Sequence, residues 1–345
     1  MKFGIFDHID KSNLRLCDQL DDRLKYVKAA EDAGFYSYHV AEHHATPLNL
    51  VPVPGVYLGA VANATSTIRL GPLCYLLPLY SPLRLIEEIS ILDHLSHGRL
   101  DIGVGRGVSP FELNYHKVDP KSSVEIFLEG LDVIKFGLTH EVLNHDGKHY
   151  QYTDVPMELC PLQKPHPPIW YPSSNPDVAR LIGEAGYNFV TLGAMGPAKK
   201  AIGRYKEGLA KRRSLSGPNL DFDGGTAIGI SRHIVVADTM GDAMRIARPA
   251  YARWHKSLVK LWVENKVEGP AFARGTVADV QTAIDAGTDI VGDPEYVCEK
   301  ITEQIRELGV NYMVCQFYFG DMAHVDAMRS IELFKTEIMP KALKI

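Results

Sequence analysis

The chain has 345 residues, 46% of them apolar and 23% charged, which is enough material for a sizeable buried core and speaks against long disordered tracts. A formal net charge of −5 with no long Lys/Arg run argues against nucleic acid or an anionic membrane as partner, and no stretch approaches the roughly 18 unbroken apolar residues of a membrane span. Five scattered cysteines (Cys17, Cys74, Cys160, Cys298, Cys315), odd in number and without a C-x-x-C pair, suit a reducing cytoplasm.

In chain order, Lys2 to Asp7 reads as a strand rather than the apolar segment of a signal peptide. Leu20, Leu24, Val27 and Ala30 recur at helical spacing until Gly34 stops them, and residues 36–41 form a second strand. A helix over 56–64 leads to a strand over 68–75. Leu85, Ile89, Leu92 and Leu95 then mark a helix ending at Gly98, before a strand over 100–105. Ile126, Phe127, Leu131, Ile134 and Leu138 share one helical face, and residues 140–152 read as a hairpin turning at Asp146-Gly147. The proline-rich run 160–168 is an extended approach to a strand over 169–171. Strands over 188–192, 227–237 and 311–317 complete the count. Lys211-Arg212-Arg213, the densest basic run, reads as a solvated helix end.

Eight strand signals alternating with helices favour a (β/α)8 TIM barrel within the α/β class, with a doubly wound open sheet as runner-up. Residues 251–289, with Trp254, Trp262 and several glycines, are too long for an ordinary connection between strands 7 and 8. They are either a lid-like insertion or a helical excursion packed on the barrel.

Barrel chemistry sits at the carboxyl ends of the strands. Those ends carry Phe6-Asp7-His8, Glu42-His43-His44, Leu73-Cys74-Tyr75, Gly105-Arg106-Gly107 and Ser173-Ser174-Asn175. Gly103, Gly105 and Gly107 lack the G-x-G-x-x-G spacing of a dinucleotide loop; they are expected to let backbone approach a flat ligand, with Arg106 as a cation for an anionic group. Asn175 followed by Pro176 is a helix start, so free N–H groups and the serine hydroxyls offer a phosphate site, or simply a helix cap. His43 and His44 cannot both face one site from regular strand geometry, and neither H-x-H nor H-E-x-x-H spacing surrounds them. His43 is therefore a packed histidine or an acid/base group rather than part of an evident metal chelate.

Taken together, the opening Met1 to Phe6, Val40-Ala41-Glu42-His43-His44, the L-L-P…P-x-R-L-x-E-x-x-x-L-D-x-L-S-x-G-R block from Leu76 to Arg99, the run from Pro167 through Ser173-Ser174-Asn175 to Tyr187, and the late Val291 to Ile301 segment resemble the bacterial luciferase-like family of flavin-dependent monooxygenases. The likeness runs in order from Met1 to about Pro340 and implies one TIM-barrel domain over 1–345. It also implies use of reduced FMN (FMNH2) with O2, through a C4a-(hydro)peroxyflavin, to oxygenate a small, largely apolar molecule. Carried across by position, His43 resembles the catalytic histidine, Leu73-Cys74 the pair whose cis peptide lies against the flavin ring, and Arg106, Ser173, Ser174 and Asn175 the phosphate binders. Phe6, Tyr75 and Phe317 are expected to line the substrate pocket. The resemblance further implies a separate NAD(P)H:flavin reductase and a homodimer. Two positions depart from luciferase proper: Val124 stands where a second phosphate-binding arginine is found, and Gly105 where a reactive cysteine is found. The alternatives are a deazaflavin-dependent dehydrogenase or reductase on the same barrel, a non-catalytic FMN-binding protein, and a metal-dependent barrel hydrolase.

Overall fold

Parallel strands follow one another around a ring, each buried on both sides as the uninterrupted apolar runs require. In chain order the strands of the molecule, ring and hairpin together, are β1 (Lys2–Asp7), β2 (Ser37–Val40), β3 (Arg69–Pro72), β4 (Tyr75–Leu76), β5 (Ile102–Gly105), β6 (Val142–Asp146), β7 (Gln151–Pro156), β8 (Ile169–Pro172), β9 (Asn188–Thr191), β10 (Ile228–Val236), β11 (Asp289–Gly292) and β12 (Tyr312–Gln316). The computed structural model describes residues 1–212, 219–269 and 278–343.

The sheet runs β3-β2-β1-β12-β10-β9-β8-β5-β4, and a parallel bridge between Leu70 and Leu100 joins β3 to the approach of β5, closing the TIM barrel. The expected eight strands are present. The one missed is β11, which pairs with the carboxyl half of β10 while the amino half pairs with β9 and β12. The third strand is broken: β3 stops at Pro72 and β4 resumes at Tyr75, with a cis peptide between Leu73 and Cys74. Strands β6 and β7 form the antiparallel hairpin off the barrel, with Gly147 N–H donating to Tyr150 O at its turn.

The alternation of side chains sorts residues into two layers. Phe6, Leu73, Trp170, Tyr312 and Val314 fill the barrel interior, while Phe3, Ile5, Met313, Cys315 and Phe317 pack outward under the helices. At Gly4 a Cβ would run into the Tyr312 hydroxyl, so a tyrosine inside the barrel requires glycine on the neighbouring strand.

The insertion reading for 251–289 resolves mostly into the helical alternative. Helix Met240–Glu264 takes in Tyr251, Trp254 and Trp262, and β11 begins at Asp289; residues 270–277 lie outside the described residues. At the basic run the helix Met195–Lys211 ends, and Arg212 donates to Gly224 O at 2.9 Å; Arg213 lies outside the described residues. Among the described residues no helix is long and apolar enough to cross a membrane.

Candidate active site

The two histidines after β2 part company, as strand geometry demands. His43 Nδ1 lies 3.2 Å from Glu112 Oε1, and its ring stacks on His8 at 5.7 Å. His44 turns the other way, with Nε2 2.8 Å from Glu42 Oε1 and its ring edge-on to His116. Glu42 is itself held by the Leu76 N–H and the Tyr80 hydroxyl, so β2, β4 and the turn after β4 are tied at one carboxylate.

Glu112 comes from the short helix Pro110–Tyr115, whose N-cap Ser109 accepts from the Glu112 N–H. Its Oε1 also accepts from the His44 N–H at 2.6 Å. Burial works to raise this carboxyl's pKa, but the charges of His43 and His44 and the hydrogen bonds they make bring it below the usual range. A carboxylate on Nδ1 places the imidazole proton there and leaves His43 Nε2 turned away from Glu112. His43 keeps 21% side-chain exposure against 3% for Glu112. An anchored, partly open imidazole of this kind is able to move a proton or hydrogen-bond a reacting oxygen. His8 is different: burial first, then the neighbouring His43 and His233, push its pKa well below the ordinary value, so it is a neutral imidazole.

On the next part of the rim, β5 and β8 pair Ile102 with Ile169 and Gly103 with Trp170; continuing that register sets Arg106 opposite Ser173. Arg106 is exposed, its one polar contact being Ser123 Oγ at 3.5 Å, and among the described residues no carboxylate pairs with it. Ser173 Oγ accepts from the Asn175 N–H, and Ser174 Oγ donates to Leu192 O. Asn175 Oδ1 caps helix Pro176–Ala185 by accepting from the N–H groups of Asp177 and Val178. The cap thus consumes two donors that the sequence offered to a phosphate. What remains for an anion is the guanidinium, the Ser173 hydroxyl proton and the Asn175 side-chain N–H groups, the Ser174 proton being spent on Leu192 O. A guanidinium without a carboxylate beside a free hydroxyl fits a phosphate terminus. Val124 follows Ser123 with an exposed side chain and adds no cation.

Two of the three glycines at the end of β5, Gly103 and Gly105, are required by the barrel wall itself. A Cβ at Gly103 would collide with Pro72 O, and one at Gly105 would collide with Cys74 Sγ. The sulfur of Cys74 thus occupies the room that a side chain at 105 would need. Burial, and then the Glu42 charge, push the Cys74 thiol's pKa up, which makes it a neutral neighbour rather than a nucleophile.

Of the three aromatic residues expected in the pocket, only Phe6 faces inward, edge-on to His8 at 4.8 Å. Tyr75 lies outside the wall, donating to Glu88 Oε1 at 2.8 Å and packed on Tyr80. Phe317 packs between Phe35 and Phe334 beneath the helices. Both are fully buried, because an odd step along their strands turns them outward. The inward positions nearest His8 are polar instead: Ser231, His233 and Gln316 on β10 and β12. Sequence reasoning passed over Glu112, His233 and Gln316; strand parity would have singled out the last two. Among the described residues no group of three or more His, Cys, Asp or Glu side chains is placed to hold a metal ion.

The luciferase-like monooxygenase profile matches residues 1–312. The chain belongs to that family. It is 34% identical over 343 residues to the uncharacterized protein y4wF of Sinorhizobium fredii (strain NBRC 101917 / NGR234), covering 99% of this chain and 97% of the relative. It is 28% identical to the oxygenase component of the flavin-dependent trigonelline monooxygenase of Acinetobacter baylyi (strain ATCC 33305 / BD413 / ADP1), covering 74% and 72%. The fold is shared with the oxygenating constituent of 3,6-diketocamphane monooxygenase of Pseudomonas putida, solved with FMN, at TM-score 0.82, 22% identity and coverage of 99% and 98%. It is also shared with the coenzyme F420 dependent tetrahydromethanopterin reductase of Methanopyrus kandleri, at TM-score 0.73, 21% identity and coverage of 98% and 98%.

Proposed function

We propose that this luciferase-like protein is the oxygenase component of a two-component monooxygenase that takes reduced FMN and O2 to oxygenate a small organic molecule. The observation that carries the reading is the rim itself. An imidazole anchored by Glu112 stands just past β2, beside a strand end broken at Leu73-Cys74, with a guanidinium that meets no carboxylate among the described residues and a serine-asparagine cap further round. Bound reduced flavin supplies the activation of oxygen. The chain's own share is to grip the phosphate with Arg106, Ser173, Ser174 and Asn175, to back the ring with Leu73 and Cys74, and to hold or move a proton at His43 Nε2. Phe6 lines the substrate side. The chain over 1–345 is read as one such domain, since its first strand pairs directly with its last, β12.

A separate NAD(P)H:flavin reductase is part of the reading, supported by relatives described as an oxygenase component and an oxygenating constituent. A cytoplasmic setting is supported by five free cysteines. A homodimer is expected from family likeness and the prevalence of two-fold assemblies; light scattering at working concentration checks it. The rival is hydride transfer with a deazaflavin, which the F420-dependent fold neighbour keeps in view.

The deciding experiment titrates the purified protein with FMN, reduced FMN and coenzyme F420, then supplies a flavin reductase, NADH and O2 with ketones, aldehydes and sulfonates, reading product by mass. Product carrying one added oxygen supports the oxygenase. Binding of F420 alone moves the assignment to the rival, and failure of every flavin to bind ends both.

A further inference from the structure

A cavity of about 750 Å³ lies between the loops that leave β1 and β2 at their carboxyl ends and the second half of helix Met240–Glu264. That volume is in the range of small-molecule sites. Neither His43, Arg106, Ser173 nor Asn175 lines it, so it is separate from the rim groups already described. Its walls are tied to one another. The Lys11 N–H donates to Pro47 O at 2.8 Å and the Leu50 N–H to Ile9 O at 3.0 Å, which joins the two loops. Thr46 Oγ1 donates to Ser257 O and the Arg253 guanidinium to Lys11 O at 3.3 Å, which joins both loops to the helix.

What the cavity offers a ligand follows from which groups in its lining are already spent. Asn49 uses its amide on Ala41 O and Val51 O and its oxygen on the Val51 N–H, and Thr46 donates to Ser257 O and accepts from the Leu48 N–H. Pro47, Leu50, Pro52, Val259 and Val263 supply apolar surface, with Val263 66% exposed. The charged groups are unbalanced. Arg253, Lys256 and Lys260 recur along one face of the helix, Lys11 stands opposite, and Glu264 is the one carboxylate in the lining. Glu264 pairs with Lys260 at 2.8 Å. Among the described residues no carboxylate pairs with Lys11, Arg253 or Lys256, so three cations converge on one hollow in a chain whose formal net charge is −5. A cleft lined by one sign of charge concentrates ligands of the other.

We propose that this cavity is a second ligand site, which binds an organic anion: a carboxylate on an apolar body, its charge held by Arg253, Lys256 and Lys11 and its body laid against Pro47, Leu50 and Val259. The half-buried Arg253 is the central contact, because its planar guanidinium matches a carboxylate and its place is set by the bond to Lys11 O. A neutral molecule of the same shape gains only the apolar contact there, and a small inorganic anion only the charge. The assignment is independent of the oxygenase reading.

The test titrates 2-naphthoate and its neutral counterpart 2-naphthamide calorimetrically into the full chain at pH 7, with and without FMN. Naphthoate binds about 10-fold tighter or more at low salt, as a charge-assisted hydrogen bond supports, and the gap narrows as salt is raised. Arg253→Gln weakens naphthoate about 10-fold and leaves naphthamide within about 2-fold, whereas Arg253→Lys keeps most of the preference. Lys256→Glu acts in the same direction from an exposed position, so it serves should Arg253→Gln fail to fold. FMN does not displace naphthoate, and Arg106→Ala leaves its affinity unchanged. Equal affinity for the two probes, no measurable binding by either, or a preference that survives both Arg253→Gln and Lys256→Glu overturns the proposal. Displacement by FMN, or a loss in Arg106→Ala equal to that in Arg253→Gln, places the anion at the rim instead and overturns it too. Tighter binding of hexaglutamate than of naphthoate hands the cavity to an acidic protein surface and has the same consequence.

Discussion

The two ends of the barrel hold buried histidines in opposite circumstances. Towards the amino end, His39 Nε2 lies 3.0 Å from both Ser37 Oγ and the Tyr312 hydroxyl, with the ring sealed against Trp170 at 5.2 Å. Burial, then Arg69, push its pKa down to about 3. Below it Arg69 and Asp101 pair at 2.7 Å, and Glu31 closes the loop into β3 by accepting from the N–H groups of Ser66, Thr67 and Ile68. At the carboxyl end His43 is half anchored and keeps 21% side-chain exposure, and Arg106 is exposed with no carboxylate on it among the described residues. Buried unpaired atoms occur at both ends, His39 Nδ1, Asp101 Oδ2 and Trp170 Nε1 at one and His8 Nδ1, His233 Nε2 and Gln316 Oε1 at the other. Residue type does not separate the two, since both contain imidazoles next to aromatic rings. Access does: His39 is fully buried, while His43 and Arg106 are open.

If that contrast is real, substitutions at the two ends act on different measurements. The largest effect is expected at His43. His43→Gln lowers product formation by about 100-fold or more, as loss of an acid/base group does, and raises the oxygen consumed per product, with no change in the unfolding midpoint. Unchanged turnover and coupling would remove His43 from the chemistry. Next, Arg106→Ala weakens FMN by about 10- to 100-fold, the worth of a charge-assisted hydrogen bond, and leaves riboflavin affinity untouched. Parallel losses for both ligands would mean that Arg106 does not hold the phosphate.

At the other end the readout is stability. Burial tends to raise the Glu31 pKa, but the Lys28 ammonium and the three backbone N–H groups overcome it and bring the carboxyl down from 4.5 to about 2. A carboxyl depressed in the folded state stabilises the protein above its unfolded value and stops doing so as pH falls through the folded one. Glu31→Gln is therefore less stable than the parent by about 1–3 kcal/mol at pH 7 in urea unfolding, and the gap closes between pH 4.5 and about 2. A gap that is constant over that window would contradict the assignment. The smallest change belongs to Tyr312→Phe: about 1 kcal/mol of stability, because Ser37 and His39 still satisfy each other, with FMN binding unaltered. A shift in flavin affinity from this variant would blur the division between the ends.

Local chemistry along the chain was enough for much of this. Apolar runs bounded by glycine and proline marked β1 at Lys2–Asp7 and the ring strands after it, and Asn175-Pro176 marked a helix start. The period of two predicted that His43 and His44 would diverge. The family followed from motifs in order, and with it the barrel. Other features needed the closed ring. Barrel strands are buried on both faces, so an apolar residue such as Tyr75 or Phe317 carries no local sign of which face it takes. Glu112 reaches His43 across 69 positions, and Asn175's cap takes the N–H groups that seemed available, because partners for polar groups are chosen by proximity in space. Gly103 and Gly105 are small for the sake of Pro72 and Cys74 on the next strand. Sequence by itself determined which segments form strands and helices and what they resemble, since those depend on spacing between near neighbours; tertiary structure alone decided which polar atoms are satisfied and which are left open, since that depends on what ring closure brings opposite them.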